Sequence, residues 1–334
     1  MTISVSHLKK YYQVHKKEPG FMGSIKSLIS RKYESVKAVD DISFDIAAGE
    51  LVGFIGPNGA GKTTTLKCLS GLLWPTQGNV SVLGYTPFER KTAFLKQIAL
   101  VMGQKNQLWW DLPANETFLL NKEIYEIADD EYKKTLNELV DLLEVEHLLK
   151  VQVRKLSLGE RMKMELIAAL IHSPKVMFLD EPTIGLDVVM QKKMRDFVQE
   201  YNELKKSTIL LTSHYMEDVR QLARRVIIID HGKILYDGKL DNLVKKFAKH
   251  KVLSVILETY VPPDKLKEVG ELVEYNFPRA VIRVPRGASN VAAAQLLQKF
   301  PVDDLNIEEP DIEDIIRDVF TQHHKDGAGF TKKS

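Results

Sequence analysis

The sequence predicts an α/β fold with a smaller α+β module appended, and three observations carry that prediction. Short runs dense in apolar and β-branched residues recur along the chain: "LVGFI" at 51–55, "KVMFLDEP" at 175–182, "STILLTSH" at 207–214 and "RRVIIIDHGKILYDG" at 224–238. Runs of this texture are typical of parallel strands buried on both faces. Helical patterns separate them, most plainly from about 113 to 170 with its periodic Leu and Ile, and such alternation argues for layered α/β architecture. After about residue 245 the texture changes: "KVLSVILETYV", a Pro-Pro break, "AVIRVPRG" and "NVAAAQLLQKF" read as a small separate module, giving expected domains of 1–245 and 246–334. The last stretch, "GAGFTKKS", reads as a frayed tail.

The elements follow in order. Residues 2–8, "TISVSHL", alternate like a strand, and "SFDIAAGELVGFIG" at 43–56 reads as strand, turn, strand. Between them, the basic 13–37 segment is an insertion. Within it Phe21, Ile25, Leu28 and Ile29 share one helical face, with Lys26, Arg31 and Lys32 nearby. That face suits either a surface insertion packed on its own domain or contact with a membrane surface or partner.

Composition sets outer bounds. The 334 residues are 44% apolar and 28% charged, enough for a sizeable core. Forty-seven basic residues against 45 acidic ones leave +2, so no general field favours nucleic acid. The single cysteine, Cys68, excludes an internal disulfide and a thiolate-rich metal site. Beside Leu66 and Leu69 in an expected helix, it reads as a buried thiol in a reducing, cytosolic setting. The N-terminus lacks a signal-peptide apolar region, and no apolar run approaches the ~20 residues that span a bilayer.

Chemistry concentrates first in "GPNGAGKTT": Gly56, Pro57, Asn58, Gly59, Ala60, Gly61, Lys62, Thr63 and Thr64. This is the phosphate-binding G-x-x-x-x-G-K-[ST] pattern, and it directly follows the strand "LVGFI". The glycines let backbone N–H groups face phosphate oxygens, and the following helix adds its positive end. Lys62 would neutralise the β- and γ-phosphates, and the Thr63 hydroxyl would coordinate Mg²⁺. Further on, "VMFLDE" ends a strand on two adjacent carboxylates. Asp180 is the natural Mg²⁺ partner, and Glu181 would orient or deprotonate an attacking water. His214 ends the next strand, where it could reach a γ-phosphate.

In this order, these motifs resemble the ATP-binding subunits of ATP-binding-cassette (ABC) transporters, over roughly residues 2–240. The resemblance implies a P-loop NTPase core with an antiparallel β subdomain and a helical subdomain at about 106–170. It implies ATP and Mg²⁺ as cofactors and a second nucleotide-binding domain, in a homodimer, as partner. It also implies integral membrane permease subunits, placing the chain at the cytoplasmic face of the membrane. "LSLGE" at 156–160 stands where the family carries its L-S-G-G-Q signature, the element that caps ATP held in the other copy's cradle. Ser157 and Gly159 keep the pattern. Leu158 replaces a glycine and Glu160 a glutamine, and a carboxylate aimed at a triphosphate would be repelled, so Glu160 is expected to face ribose hydroxyls or solvent. Gln104 matches the residue linking Mg²⁺ and attacking water to the permease. Gly185, Leu186 and Asp187 match the loop crossing the dimer seam. Tyr12 stands where an aromatic ring stacks on adenine, with Tyr11 as the competing candidate. Trp109, Trp110 and Leu112 fall in the region that receives a permease helix, with core packing as the plainer alternative.

The short "EPTIGLDVV" segment and the appended module look most like the subfamily serving two-part exporters, the ABC-2 type. A soluble ATPase acting on ribosomes or DNA, or an importer subunit, is the alternative. The C-terminal module would steady the dimer or tune activity.

Overall fold

The computed structural model describes residues 1–15, 33–103 and 105–328. The apolar face of the basic insertion and Gln104 lie outside the described residues. The chain divides into two compact units, Met1–Gly238 and Lys239–Ser334.

The first unit holds two sheets. Strands β1 (Ile3–His15), β2 (Tyr33–Ile46) and β4 (Gln77–Val82) form an antiparallel sheet in the order β2-β1-β4. Strands β3 (Leu51–Ile55), β5 (Ile98–Met102), β6 (Val176–Asp180), β7 (Thr208–Thr212), β8 (Arg225–Asp230) and β9 (Lys233–Lys239) form the second, ordered β5-β6-β7-β3-β8-β9. Its pairs β5/β6, β6/β7, β7/β3 and β3/β8 are parallel. Strands β6 and β7 are buried at every position, as their apolar runs Val176–Leu179 and Ile209–Leu211 require.

Helix α1 (Lys62–Leu69) leaves β3 through the glycine loop. Its Leu66 and Leu69 share one core with Ile3, Leu8 and Ile42 of the antiparallel sheet and with Phe54 and Phe178 of the parallel one. Helix α1 is thereby held between the two sheets. The short α2 (Thr92–Leu95) precedes β5.

Helices α3 (Ala114–Tyr125), α4 (Asp129–Leu143) and α5 (Leu158–Leu170) occupy the stretch whose Leu/Ile periodicity predicts helix. Asp129, Asp130 and Glu131 complement the positive end of α4. The Lys163 ammonium donates to the Leu143 carbonyl (2.7 Å), tying α5 to the other end of α4. Helices α6 (Val188–Lys205) and α7 (Met216–Leu222) complete the first unit. A second core joins Phe118, Leu139 and Ile167 to Met177, Leu211 and Phe197, so the helical region is packed on the β6/β7 side of the sheet.

The second unit runs α8 (Leu240–Phe247), β10 (His250–Leu257), α9 (Pro263–Leu266), β11 (Glu271–Asn276), β12 (Arg279–Pro285), α10 (Ser289–Lys299), β13 (Val302–Glu308) and α11 (Ile312–Ala328). The antiparallel order β11-β12-β10-β13 makes β10 to β13 a split β-α-β-β-α-β unit. Leu253, Val255, Ile282 and Val284 bury one sheet face with Leu296 of α10.

Candidate active site

The phosphate loop is shaped by two glycines that no other residue replaces. A Cβ on Gly56 would lie 2.1 Å from the Ile229 carbonyl oxygen. Gly61 has φ +108°, and its Cβ would lie 2.3 Å from the Ala38 oxygen. Strand β2 therefore runs against the loop's end. A second tie follows through Gly232, whose N–H donates to Ala60 (3.0 Å) and whose carbonyl accepts from Asp40 N–H (2.8 Å). The Lys62 ammonium is buried and donates to the carbonyls of Gly56 (2.6 Å) and Pro57 (3.1 Å), which sets it at the loop's mouth. Burial lowers its pKa, and the nearby Glu181 and Asp180 charges oppose that shift.

The carboxylates close on this loop from β6. Thr63 Oγ1 donates to Asp180 (2.8 Å to Oδ2, 3.1 Å to Oδ1), and Thr212 Oγ1 donates to Asp180 Oδ1 (2.8 Å). The Glu181 N–H in turn donates to Thr212 Oγ1 (3.1 Å). Glu181 has φ +55°, a conformation costing a non-glycine residue on the order of 1 kcal/mol, and such costs cluster at functional sites. His214 Nε2 lies 2.6 Å from Glu181 Oε1. Thr63, Lys67, Met102, Lys105, Asp180 and Glu181 line a cavity of ≈ 230 Å³. One sequence-expected site is thus gathered from residues 56–64, 180, 181 and 214.

The signature segment is built differently. Ser157 caps α5, its Oγ accepting from the Glu160 N–H (3.3 Å). Glu160 Oε2 returns the contact, accepting from Ser157 N–H (2.8 Å) and Ser157 Oγ (2.8 Å). These bonds hold the Glu160 carboxyl below its ordinary pKa. Glu160 keeps a solvent-accessible carboxylate, and a reciprocal capping box ties that carboxylate to its own helix terminus. Gly159 is buried against Met190, whose Cε would be 2.8 Å from a Cβ there. Asp187 likewise caps its own helix, accepting from the Met190 N–H (2.9 Å).

The two tyrosines separate clearly. Tyr11 donates its hydroxyl to Asp40 Oδ1 (2.5 Å), which pushes its pKa up to about 12. Tyr12 is exposed, opposite Val36 across the hairpin, with Lys10 over its ring at 5.2 Å. Tyr12 is the more exposed of the two rings, and Tyr11 has its hydroxyl held by Asp40 and Lys37 over its ring at 5.4 Å. Trp109, Trp110 and Leu112 are exposed as well, so they do not serve as core packing.

Sequence reasoning missed Thr212, which joins Asp180 to the Glu181 backbone, although it stands two residues before His214 in "TSH". It also missed the buried set Thr183, Ser213, Asp218 and Arg195 behind the site. Among the described residues, no cluster of three or more His, Cys, Asp or Glu could hold a metal. Thr63 and Asp180 supply hard oxygen ligands that fit Mg²⁺ once phosphate oxygens complete the shell.

Comparison with known proteins agrees with this geometry. Residues 39–184 match the family described as "ABC transporter", and 249–308 match "EvrA-like ABC transporter, C-terminal domain". The bacitracin transport ATP-binding protein BcrA of Bacillus licheniformis is 34% identical over 222 residues, 66% of this chain and 71% of BcrA. The doxorubicin resistance ATP-binding protein DrrA of Mycobacterium tuberculosis is 32% identical over 238 residues, 71% of this chain and 69% of DrrA. In fold, the chain is similar to the ATP-binding cassette MJ0796, solved as a dimer bound to ADP and Pi. That similarity has a TM-score of 0.59 at 24% identity and covers 71% of this chain and 98% of that one. With phosphate loop, paired carboxylates and signature helix in one unit, the chain belongs to the ABC transporter family as one of its ATP-binding, ATP-hydrolysing proteins.

Proposed function

We propose that this chain is the ATP-hydrolysing motor of a two-part exporter, acting as a homodimer beneath membrane permease subunits. The contact between His214 and Glu181, set beside the Asp180–Thr63 pair at the loop's mouth, carries the hydrolytic reading. Lys62 would exchange its two loop carbonyls for phosphate oxygens. Glu181 would take the proton of the attacking water as the water oxygen bonds to Pγ and the Pγ–O bond to ADP breaks, releasing ADP and phosphate. His214 would hold the Glu181 carboxylate in place and donate to the γ-phosphate. Thr63 and Asp180 would hold Mg²⁺, with Gln104 as a further ligand, and the ion would supply charge neutralisation at the phosphates.

The signature Ser157 and Gly159 would complete the site of the opposing copy, and the loop 185–187 would cross the seam. Tyr12 would stack on adenine. Trp109 and Trp110 offer exposed aromatic anchors for the permease. Export is supported by relatives named for bacitracin transport and doxorubicin resistance, which do not favour ribosomes or DNA as targets.

Glu181→Gln tests the chemistry. ATP binding persists and turnover falls roughly 10²- to 10⁴-fold, followed by nucleotide titration and phosphate release. Wild-type turnover in that variant would remove Glu181 from the reaction. Recovery of a membrane permease with the affinity-tagged chain tests the partner.

A further inference from the structure

We propose that Asp218 is a positioning residue for hydrolysis: a single buried carboxylate that clamps the loop carrying His214 to the loop leaving Glu181. The inference deepens the hydrolytic reading above and rests on it. Asp218 lies in the first turn of α7, four residues beyond His214, and is fully buried. Its Oδ2 accepts from Thr183 Oγ1 (2.5 Å) and Ser213 Oγ (2.6 Å). Its Oδ1 accepts from Arg195 Nη1 (2.9 Å), itself buried on α6. Arg195 is fixed in turn by Nε donation to Gln221 (2.9 Å).

The placement of the two hydroxyls gives the clamp its meaning. Ser213 immediately precedes His214, and its Oγ also accepts from the Tyr215 N–H (2.9 Å), so it fixes the backbone on both sides of the histidine. Thr183 stands two residues after Glu181, and its carbonyl accepts from Leu186 N–H (3.2 Å) at the start of the next turn. One carboxylate thus fixes both loops whose side chains meet at 2.6 Å. A carboxylate is the fitting group, because all three of its partners donate and an acceptor-only side chain satisfies them together. An asparagine would turn a donor toward either Arg195 or the hydroxyl pair. An aliphatic residue would leave the buried guanidinium unpaired.

Held this way, His214 meets Glu181 without choosing among loop conformers. Misplacement of such a pair by about 1 Å costs turnover rather than nucleotide affinity. The effect belongs in kcat, because most of the groups that would hold ATP lie in the glycine loop and on Tyr12, which do not touch Asp218, and His214 would meet the γ-phosphate alone.

The test is steady-state ATP hydrolysis by the full chain, with MgATP varied, in Asp218→Asn, Thr183→Val, Thr183→Ser and His214→Ala. Asp218→Asn and Thr183→Val are expected to lower kcat roughly tenfold to a hundredfold with KM within twofold of wild type. Thr183→Ser, which keeps the hydroxyl, is expected to retain turnover. A proportionate loss in Thr183→Ser, or a KM rise that accounts for the defect, would mark the contact as packing and overturn the clamp. Should Asp218→Asn fail to fold, Thr183→Val carries the test, and wild-type kcat there overturns the inference. Wild-type turnover in His214→Ala overturns instead the role given to the histidine.

Discussion

The phosphate loop and the signature segment both offer N–H groups at a helix start, yet they are built to opposite plans. The loop leads into a helix held between two sheets, with Gly56 and Gly61 pressed against neighbouring backbone and Lys62 buried, while Pro57, Asn58 and Gly59 are open to solvent. The signature stands at the surface, where Ser157 is exposed, and its donors already serve the Glu160 carboxylate. A cradle held rigid by close backbone contacts at Gly56 and Gly61 can select phosphate by itself. An exposed terminus capped by its own anion accepts phosphate only by exchange, so its engagement must be driven by what the opposing surface brings. Under the proposed function, the difference suits one element to binding and the other to serving as a lid.

The most severe way to break the comparison is Gly56→Ala. The added Cβ collides with the Ile229 carbonyl, a backbone atom that cannot swing away. ATP binding by the isolated chain should fall by roughly a hundredfold or more, consistent with 1–3 kcal/mol for overpacking plus loss of the phosphate donors, as fluorescent-nucleotide titration would show.

Ser157→Ala should separate the two elements. ATP binding to the monomer stays unchanged, while turnover falls about tenfold and α5 loses ~1 kcal/mol of capping. Equal losses in both assays would deny the lid its separate role.

The smallest effect is Glu160→Gln, which removes the competing charge but keeps a side chain able to cap. ATP-driven dimerisation, followed by light scattering, should strengthen by a few fold, on the order of 1 kcal/mol. Acid should act in the same direction. Because the folded-state pKa of Glu160 is depressed below its ordinary value of 4.5, its cap is fully present above that value and lost as pH falls through the lower one. Amide protection at residues 157–160, taken relative to the intrinsic exchange rate at each pH, should therefore fall on that acid limb in wild type and stay flat in the glutamine variant.

The cradle was legible because its information is local. Nine consecutive residues, a strand before and a helix after, define it completely. Paired carboxylates at a strand end and the histidine of the next strand were legible for the same reason. The signature's position was readable but its state was not, although Ser157-x-x-Glu160 is itself a capping-box pattern. What distinguishes Tyr11 from Tyr12 is Asp40, 29 and 28 positions away, whose carboxylate holds the Tyr11 hydroxyl. The network around Asp218 joins partners 35 and 23 residues distant, and no spacing rule reaches across two loops and a helix. In the second unit the alternating strands were visible, but the neighbour of β10 at the sheet edge is β13, set by a crossover that sequence periodicity does not encode.

Intermolecular cross-linking tests most directly whether cradle and signature meet across two copies. Cys68 is buried and its thiol is pushed up to about 11, so it is an unreactive background. One chain would carry Asn58→Cys and a differently tagged chain Leu158→Cys, both with Glu181→Gln, under mild oxidation. The account predicts a disulfide between the two chains that forms with MgATP and not without it. No bond at saturating MgATP, or one formed equally in its absence, would contradict it.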